Sequence, residues 1–276
     1  MELTAPVTLA VLGAALLHAA WNALVKASED KQLDIYAVAA GSGLLALILL
    51  PFFPLPAPES WPWLAGSAVV HILYFIFLAG AYRWGELSYV YPVMRGGGPM
   101  IVAATGALVF GEILRGTEWL GVLLICAGIL AFASGAHDRR ATLFALANAI
   151  VIGAYTIIDG AGARASGAPV SYTLWFFVAN GIVICVIGIL ARGREVPRYF
   201  ARKWLRAAGG GACALGAYGI ALWAMTRAPV ALVAVLRETS VIFAAVIGAV
   251  LLKEEMTRRR LVATGAVLAG LIVLRL

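Results

Sequence analysis

Arg95, Asp159, Arg237 and Glu238 interrupt long apolar stretches of a 276-residue chain that otherwise keeps its charges near the ends of such stretches. A charge held in hydrocarbon costs about 3 kcal/mol on insertion scales, so such residues face a partner or a wet cavity. Either guanidinium could pair with a carboxylate or a phosphate. Glu238, the deepest acid, could bind an ammonium group or take up a proton. Adjacent helical residues point about 100° apart, so Arg237 and Glu238 need different partners. A structural ion pair between Glu238 and Arg95 or Arg237 is the alternative, as is Arg95 snorkelling to the nearer surface.

Polar aromatic residues recur beside these charges. His71, Tyr74, Phe75, Leu78 and Tyr82 follow i, i+3, i+4, i+7, i+11 spacing and form one helical stripe. Asn148, Tyr155 and Asp159 share another face, and Tyr91, Arg95, Gly98, Pro99 and Val102 a third. His18, Trp21 and Asn22 lie close together, and Tyr218 occurs in a later apolar run. Tyr and Trp can cradle an apolar group and donate a hydrogen bond, whereas Trp61, Trp63, Tyr82, Trp84 and Tyr89 read as interfacial belts. The candidate ligand-binding set is therefore Trp21, Asn22, His71, Tyr74, Tyr91, Arg95, Tyr155, Tyr218, Arg237 and Glu238. Glu238, Asp159 and His18 are the candidates for coupling to an ion. Gly96 to Gly98 followed by Pro99 predicts a kink that exposes carbonyls.

Catalytic patterns are absent: there is no HExxH, CxxC or Gly-x-Ser-x-Gly, and His18, His71 and His137 are scattered. No metal or cofactor is expected and no enzyme activity is read. Without GxxxxGK[ST], ATP-driven chemistry within the chain is excluded. Cys126, Cys185 and Cys213 make an odd count inside apolar runs, which argues against a disulfide framework.

The elements that must carry these residues follow from composition. With 63% hydrophobic residues, 13% charged and a mean hydropathy of +0.94, a water-soluble domain is excluded. Ten apolar spans are expected at 5–25, 35–53, 62–82, 88–110, 119–135, 142–162, 170–191, 205–226, 229–251 and 261–275. The first, lacking a basic leader, reads as a retained helix. The fold class is an all-α integral membrane protein with no soluble domain. The net charge of +7 then concerns orientation in the lipid bilayer, and nucleic acid is not an expected partner.

Residues 91–131 laid on 233–273 place Val93, Arg95, Gly106, Glu112 and Gly128 on Val235, Arg237, Gly248, Glu254 and Gly270. The charged pair keeps its spacing in both copies, and spans 4 and 5 correspond to spans 9 and 10. Two five-helix repeats follow, 1–136 and 137–276, and an odd unit inverts on its second use. Fifteen of the 21 Lys and Arg residues fall in connections after odd-numbered spans and four on the opposite side, so the positive-inside rule puts both termini outside the cytoplasm.

Three segments carry a resemblance: HAAWNALVK from His18 to Lys26, YPVMRGGGPMIVAATGALVFGE from Tyr91 to Glu112, and VLRETSVIFAAVIGAVLLKEE from Val235 to Glu255. The chain resembles the drug/metabolite transporter superfamily in its ten-helix EamA-like branch. This implies a secondary carrier of small polar metabolites, commonly an exporter of amino acids or drug-like cations, in a bacterial inner membrane. The expectation is amino-acid export, with a carboxylate at Arg95 or Arg237, an amine at Glu238 or Asp159, and aromatic rings around the side chain. Efflux of drug-like or quaternary cations is the alternative, and a non-transporting scaffold the third reading. Two departures stand against the family pattern. The connection between spans 2 and 3 lacks the basic cluster common in relatives, and span 1 has His18, Trp21 and Asn22 where small multidrug relatives carry an acid. Small residues such as Ala266 and Gly270 are expected to serve the scaffold or a dimer contact, with the protein a monomer or weak homodimer.

Overall fold

The computed structural model describes residues 2–133, 138–250 and 257–274, and among them every regular element is helical. In order these are α1 (Ala5–Lys26), α2 (Lys31–Leu49), α3 (Trp61–Trp84), α4 (Leu87–Phe110), α5 (Gly116–Leu130) and α6 (Arg139–Ala165). They continue with α7 (Pro169–Arg192), α8 (Glu195–Arg202), α9 (Trp204–Met225), α10 (Val230–Arg237), α11 (Ser240–Val250) and α12 (Arg258–Val273). His137, Lys253, Glu254 and Glu255, with the far ends of the spans expected at 119–135, 229–251 and 261–275, lie outside the described residues.

Local chemistry sets the helix ends. The Asp30 carboxylate accepts the Leu33 N–H at 3.0 Å, and Asp138 accepts that of Arg140 at 2.7 Å. Pro6, Pro62 and Pro169 occupy first turns, where a missing N–H leaves nothing unpaired. Gly111, at φ +66°, ends α4 in the left-handed conformation that glycine adopts without strain.

Eight helical segments among the described residues are long and apolar enough to cross a bilayer, one of them Val230–Val250, which takes in α10 and α11. Ten were expected. The two that fall short are α5 and α12, of 15 and 16 residues, or about 22–24 Å at the helical rise, against a hydrocarbon core of about 30 Å. Backbone groups are paired within helices, which hydrocarbon demands, and apolar side chains such as Ile113 (88% exposed) and Leu190 point outward. The protein is a multi-pass membrane protein.

Packing is arranged around the middle of the bundle. α1 lies on α9, α10 and α11; α2 on α7 and α9; α3 on α6; and α4 on α5, α6 and α10. α5 packs on α12, where a Cβ on Gly270 would come 2.9 Å from the Gly121 carbonyl oxygen. The small-residue face at Gly270 is thus consumed within the chain as scaffold.

Three expectations need correction. α4 is continuous through Pro92 and Pro99, with no interruption at Gly96–Pro99. Its glycines admit neighbours instead: a Cβ would lie 2.9 Å from Leu130 at Gly96 and 2.5 Å from Ile152 at Gly98. The interruption falls in the ninth span, where Glu238 and Thr239 form tightened turns, Glu238 N–H to Val235 carbonyl and Thr239 N–H to Leu236 carbonyl. Finally, the basic connection between the seventh and eighth spans contains a helix, α8, seated by Val196 and Tyr199. An eight-residue amphipathic run is too short to distinguish from a charged loop by periodicity alone.

Candidate functional site

The break between α10 and α11 organises the centre of the molecule. It leaves Arg237 at the C-terminal end of α10 and Glu238 just before α11, each carrying the charge that the adjoining helix end favours. Glu238 Oε1 meets Arg95 Nη2 of α4 at 3.0 Å, with the side chains 5% and 11% exposed. Of the two sequence-level alternatives for Arg95, the structure has the ion pair and not snorkelling. Two atoms of this pair, Arg95 Nε and Glu238 Oε2, are buried without a hydrogen-bond partner. Such a partly satisfied buried pair is costly and asks for an explanation.

Arg237 has no carboxylate partner among the described residues. Its guanidinium stacks over the Tyr218 ring of α9 at 5.1 Å. The Tyr218 hydroxyl in turn donates to Asp159 Oδ2 at 2.5 Å, while the Tyr172 hydroxyl donates to Oδ1 at 3.0 Å. Asp159, fully buried on α6, therefore has both oxygens engaged, and Tyr218 is wedged between it and Arg237.

An aromatic wall joins the two charge centres. His71 of α3 lies 4.4 Å from Tyr155 and 4.9 Å from Phe176 by ring centroid, and Phe176 lies 5.2 Å from Tyr218. Tyr74 sits edge-on to Tyr155 at 6.0 Å and within electrostatic reach of Arg95. The His71 ring is held by the Ser67 carbonyl, 2.9 Å from Nδ1. His18 meets Trp21 edge to face at 5.4 Å and lies within reach of both Arg95 and Arg237.

Nine of the predicted residues thus gather with the coupling candidates Asp159 and His18 in one neighbourhood: Arg95, Glu238, Arg237, Tyr218, Tyr155, Tyr74, His71, Trp21 and Tyr91. Tyr91 is at its margin, near Arg95 and lining a separate depression of about 660 Å³ with Ser88, Phe132 and Arg259. Asn22 does not join through its amide, which donates to the His18 carbonyl of its own helix at 2.7 Å. Sequence reasoning missed Tyr172 and Phe176 of α7. They stand in the run SYTLWFFVAN, whose only signal is a Tyr and a Phe four residues apart, indistinguishable from core packing.

It also missed the ion pairs that close the two ends of the bundle. At one end Arg164 Nη2 meets Glu112 Oε1 at 2.5 Å and donates to the Ala228 carbonyl, while Arg164 Nε donates to the Met225 carbonyl. Glu112 Oε2 accepts the Val230 N–H at 2.8 Å, so one pair holds the ends of α4, α6, α9 and α10. At the other end buried Asp34 accepts from Arg206 Nε at 2.9 Å and from the Tyr199 hydroxyl at 3.2 Å, and Arg206 also donates to the Leu24 carbonyl. That clasp holds α1, α2, α8 and α9.

A helical bundle with charges and rings at its centre and ion pairs at its ends has the form of a membrane carrier. The model of the EamA-like transporter family matches residues 6–134 and again 139–276. The chain belongs to the EamA-like transporter family. A solved crystal structure of a protein 20% identical in sequence superposes with a TM-score of 0.74, over 98% of this chain and 98% of its own, a likeness in fold. A search of curated proteins returns no match.

Proposed function

We propose that this transporter carries amino acids, with apolar or aromatic side chains favoured, or similar small zwitterions, out across a bacterial inner membrane by alternating access. The observation that carries the reading is the Arg95–Glu238 pair with its two orphaned atoms, Nε and Oε2. A zwitterion supplies what each lacks: a carboxylate accepts from guanidinium, and an ammonium donates to carboxylate. Arg237, unpaired among the described residues, is a second carboxylate site. Tyr74, Tyr155, Tyr218, His71 and Trp21 offer rings for the side chain, while His18 and Asp159 remain candidates for ion coupling. Purely cationic drugs are disfavoured because Arg237 already covers a face of Tyr218, the position a bound cation would take on that ring.

The family match in two tandem segments supports reading the chain as two five-helix repeats, 1–136 and 137–276, with α10 and α11 forming one span. The packing supports their inversion. α3 on α6 mirrors α1 on α9, while α2 with α7 and α5 with α12 meet across the same pseudo-twofold axis. Basic residues crowd the end bearing Arg192 to Arg206, which supports placing that end in the cytoplasm and both termini outside. Rocking of the halves would release the Glu112–Arg164 and Asp34–Arg206 clasps in turn. The chain works as a monomer or weak homodimer on this reading, since α5 and α12 spend their small residues on each other.

Flux of labelled amino acids into protein-bearing and protein-free liposomes tests the substrate. Uptake of at least one apolar amino acid, lost in Arg95→Glu, is expected. Uptake of a quaternary cation that survives Arg95→Glu, with no amino-acid flux, would replace this reading with cation efflux.

A further inference from the structure

α8 lies at the basic end of the bundle with Val196 and Tyr199 turned inward and Arg194, Arg198, Arg202 and Lys203 exposed. Among the described residues Arg194, Arg198 and Lys203 form no ion pair, and Arg202 only approaches the Tyr199 ring at 5.8 Å. This is the form of a helix lying in a membrane interface. Arg202, Lys203 and Arg206 make a ridge with a hollow on each side. One hollow, of about 520 Å³, contains Glu29 and Asp30, which repel a further anion. The other, of about 610 Å³, has no acid among the described residues: it is lined by Leu24, Trp204, Leu205 and Gly209 with the three cations at its rim. Arg206 is committed to Asp34 and the Leu24 carbonyl, leaving Arg202 and Lys203. Trp204 and Leu205 are exposed, and a Cβ at Gly209 would meet nothing within 4 Å, so the apolar floor stands open. A basic rim over an apolar floor matches one amphiphile, an anionic headgroup with its chain attached.

We propose that this groove between α1 and α9 is a binding site for one anionic phospholipid, its phosphate at Arg202 and Lys203 and an acyl chain along Leu24, Trp204, Leu205 and Gly209. The site stands on the membrane placement of the chain and is independent of the substrate. Loss of both cations should weaken binding about 30-fold, the factor for two surface cations. Filling the floor should weaken it with every charge in place.

Native mass spectrometry of the detergent-purified chain, titrated with dioleoylphosphatidylglycerol, dioleoylphosphatidylcholine or soluble glycerol 3-phosphate, tests this. Phosphatidylglycerol should be retained about tenfold more strongly than phosphatidylcholine, and glycerol 3-phosphate should not be retained. The double variant Arg202→Gln, Lys203→Gln and, separately, Gly209→Leu should each lose the preference. Gly209→Leu also improves helix propensity at an open position, which keeps it foldable. Equal retention of the two lipids, retention of glycerol 3-phosphate, or full binding by either variant would overturn the site. So would a dimer that Gly209→Leu dissociates, because the groove would then hold a second copy.

Discussion

Arg95 and Glu238 stand 143 residues apart in the chain and 3.0 Å apart in space, and each keeps one buried polar atom without a partner. Breaking a buried pair strands the surviving charge, at about 3–5 kcal/mol, whereas removing both charges avoids that cost. Arg95→Gln and Glu238→Gln should each destabilise the protein in thermal unfolding. The double variant should be no less stable than either single one, and all three should lose flux. Additive losses in the double variant would show that the two residues act independently.

The Glu112–Arg164 clasp should control access to one end of the bundle. Lys cannot reproduce a guanidinium that reaches one carboxylate and two carbonyls at once. Ala231 of α10 is buried beside this clasp. In Ala231→Cys protein the thiol should resist a water-soluble maleimide, and adding Arg164→Lys or Arg164→Ala should raise its labelling rate severalfold. Unchanged labelling would mean that apolar packing, and not the ion pair, closes that end.

Tyr218 joins Asp159 to Arg237 by two separable interactions, a hydroxyl donated at 2.5 Å and a ring face 5.1 Å from the guanidinium. Tyr218→Phe removes only the first, a hydrogen bond to a charged group worth about 1.5–3 kcal/mol. It should lower the unfolding temperature while retaining measurable flux. Tyr218→Ala removes both and should abolish flux by freeing Arg237. Equal flux in the two variants would show that the ring has no role.

Asp30, in the connection before α2, gives a pH dependence of known sign. The Leu33 N–H foremost, and the Arg192 guanidinium with it, hold its carboxyl below the usual carboxylate value despite partial burial. A group whose acidity is strengthened by folding stabilises the fold above its unfolded pKa and loses that contribution as pH falls through the folded one. Thermal stability should therefore drop as pH falls below about 4, and Asp30→Asn should flatten that part of the profile. An identical acid limb in both proteins would remove Asp30 and its partners from the cause.

Much of the site was legible in the sequence because charge in an apolar run is expensive and therefore conspicuous. Arg95, Asp159, Arg237 and Glu238 could be picked out on that ground, and helical spacing put Tyr74 on the face of His71 and Tyr155 on that of Asp159. Tyr172 and Phe176 were hidden because rings in an apolar run read as packing. Arg164, Glu112, Asp34 and Arg206 were hidden because charges near span ends read as solvated. The position of the helix break was misjudged for a related reason. Gly-Gly-Gly-Pro signals a weak helix wherever it occurs, but close packing against α5 and α6 keeps α4 continuous, and the turn forms at Glu238–Thr239 instead.

By itself the sequence determined that the chain is helical and lies in a membrane, because apolar length and backbone hydrogen bonding leave no other solution there. It also determined that the mid-span charges Arg95, Asp159, Arg237 and Glu238 demand partners. Only the tertiary structure decided that Arg95 answers Glu238, that Tyr218 separates Arg237 from Asp159, and that α5 and α12 spend their glycines on each other. Those outcomes depend on which helices touch and at what height, and helical periodicity reports the face a residue occupies without reporting the neighbour that meets it.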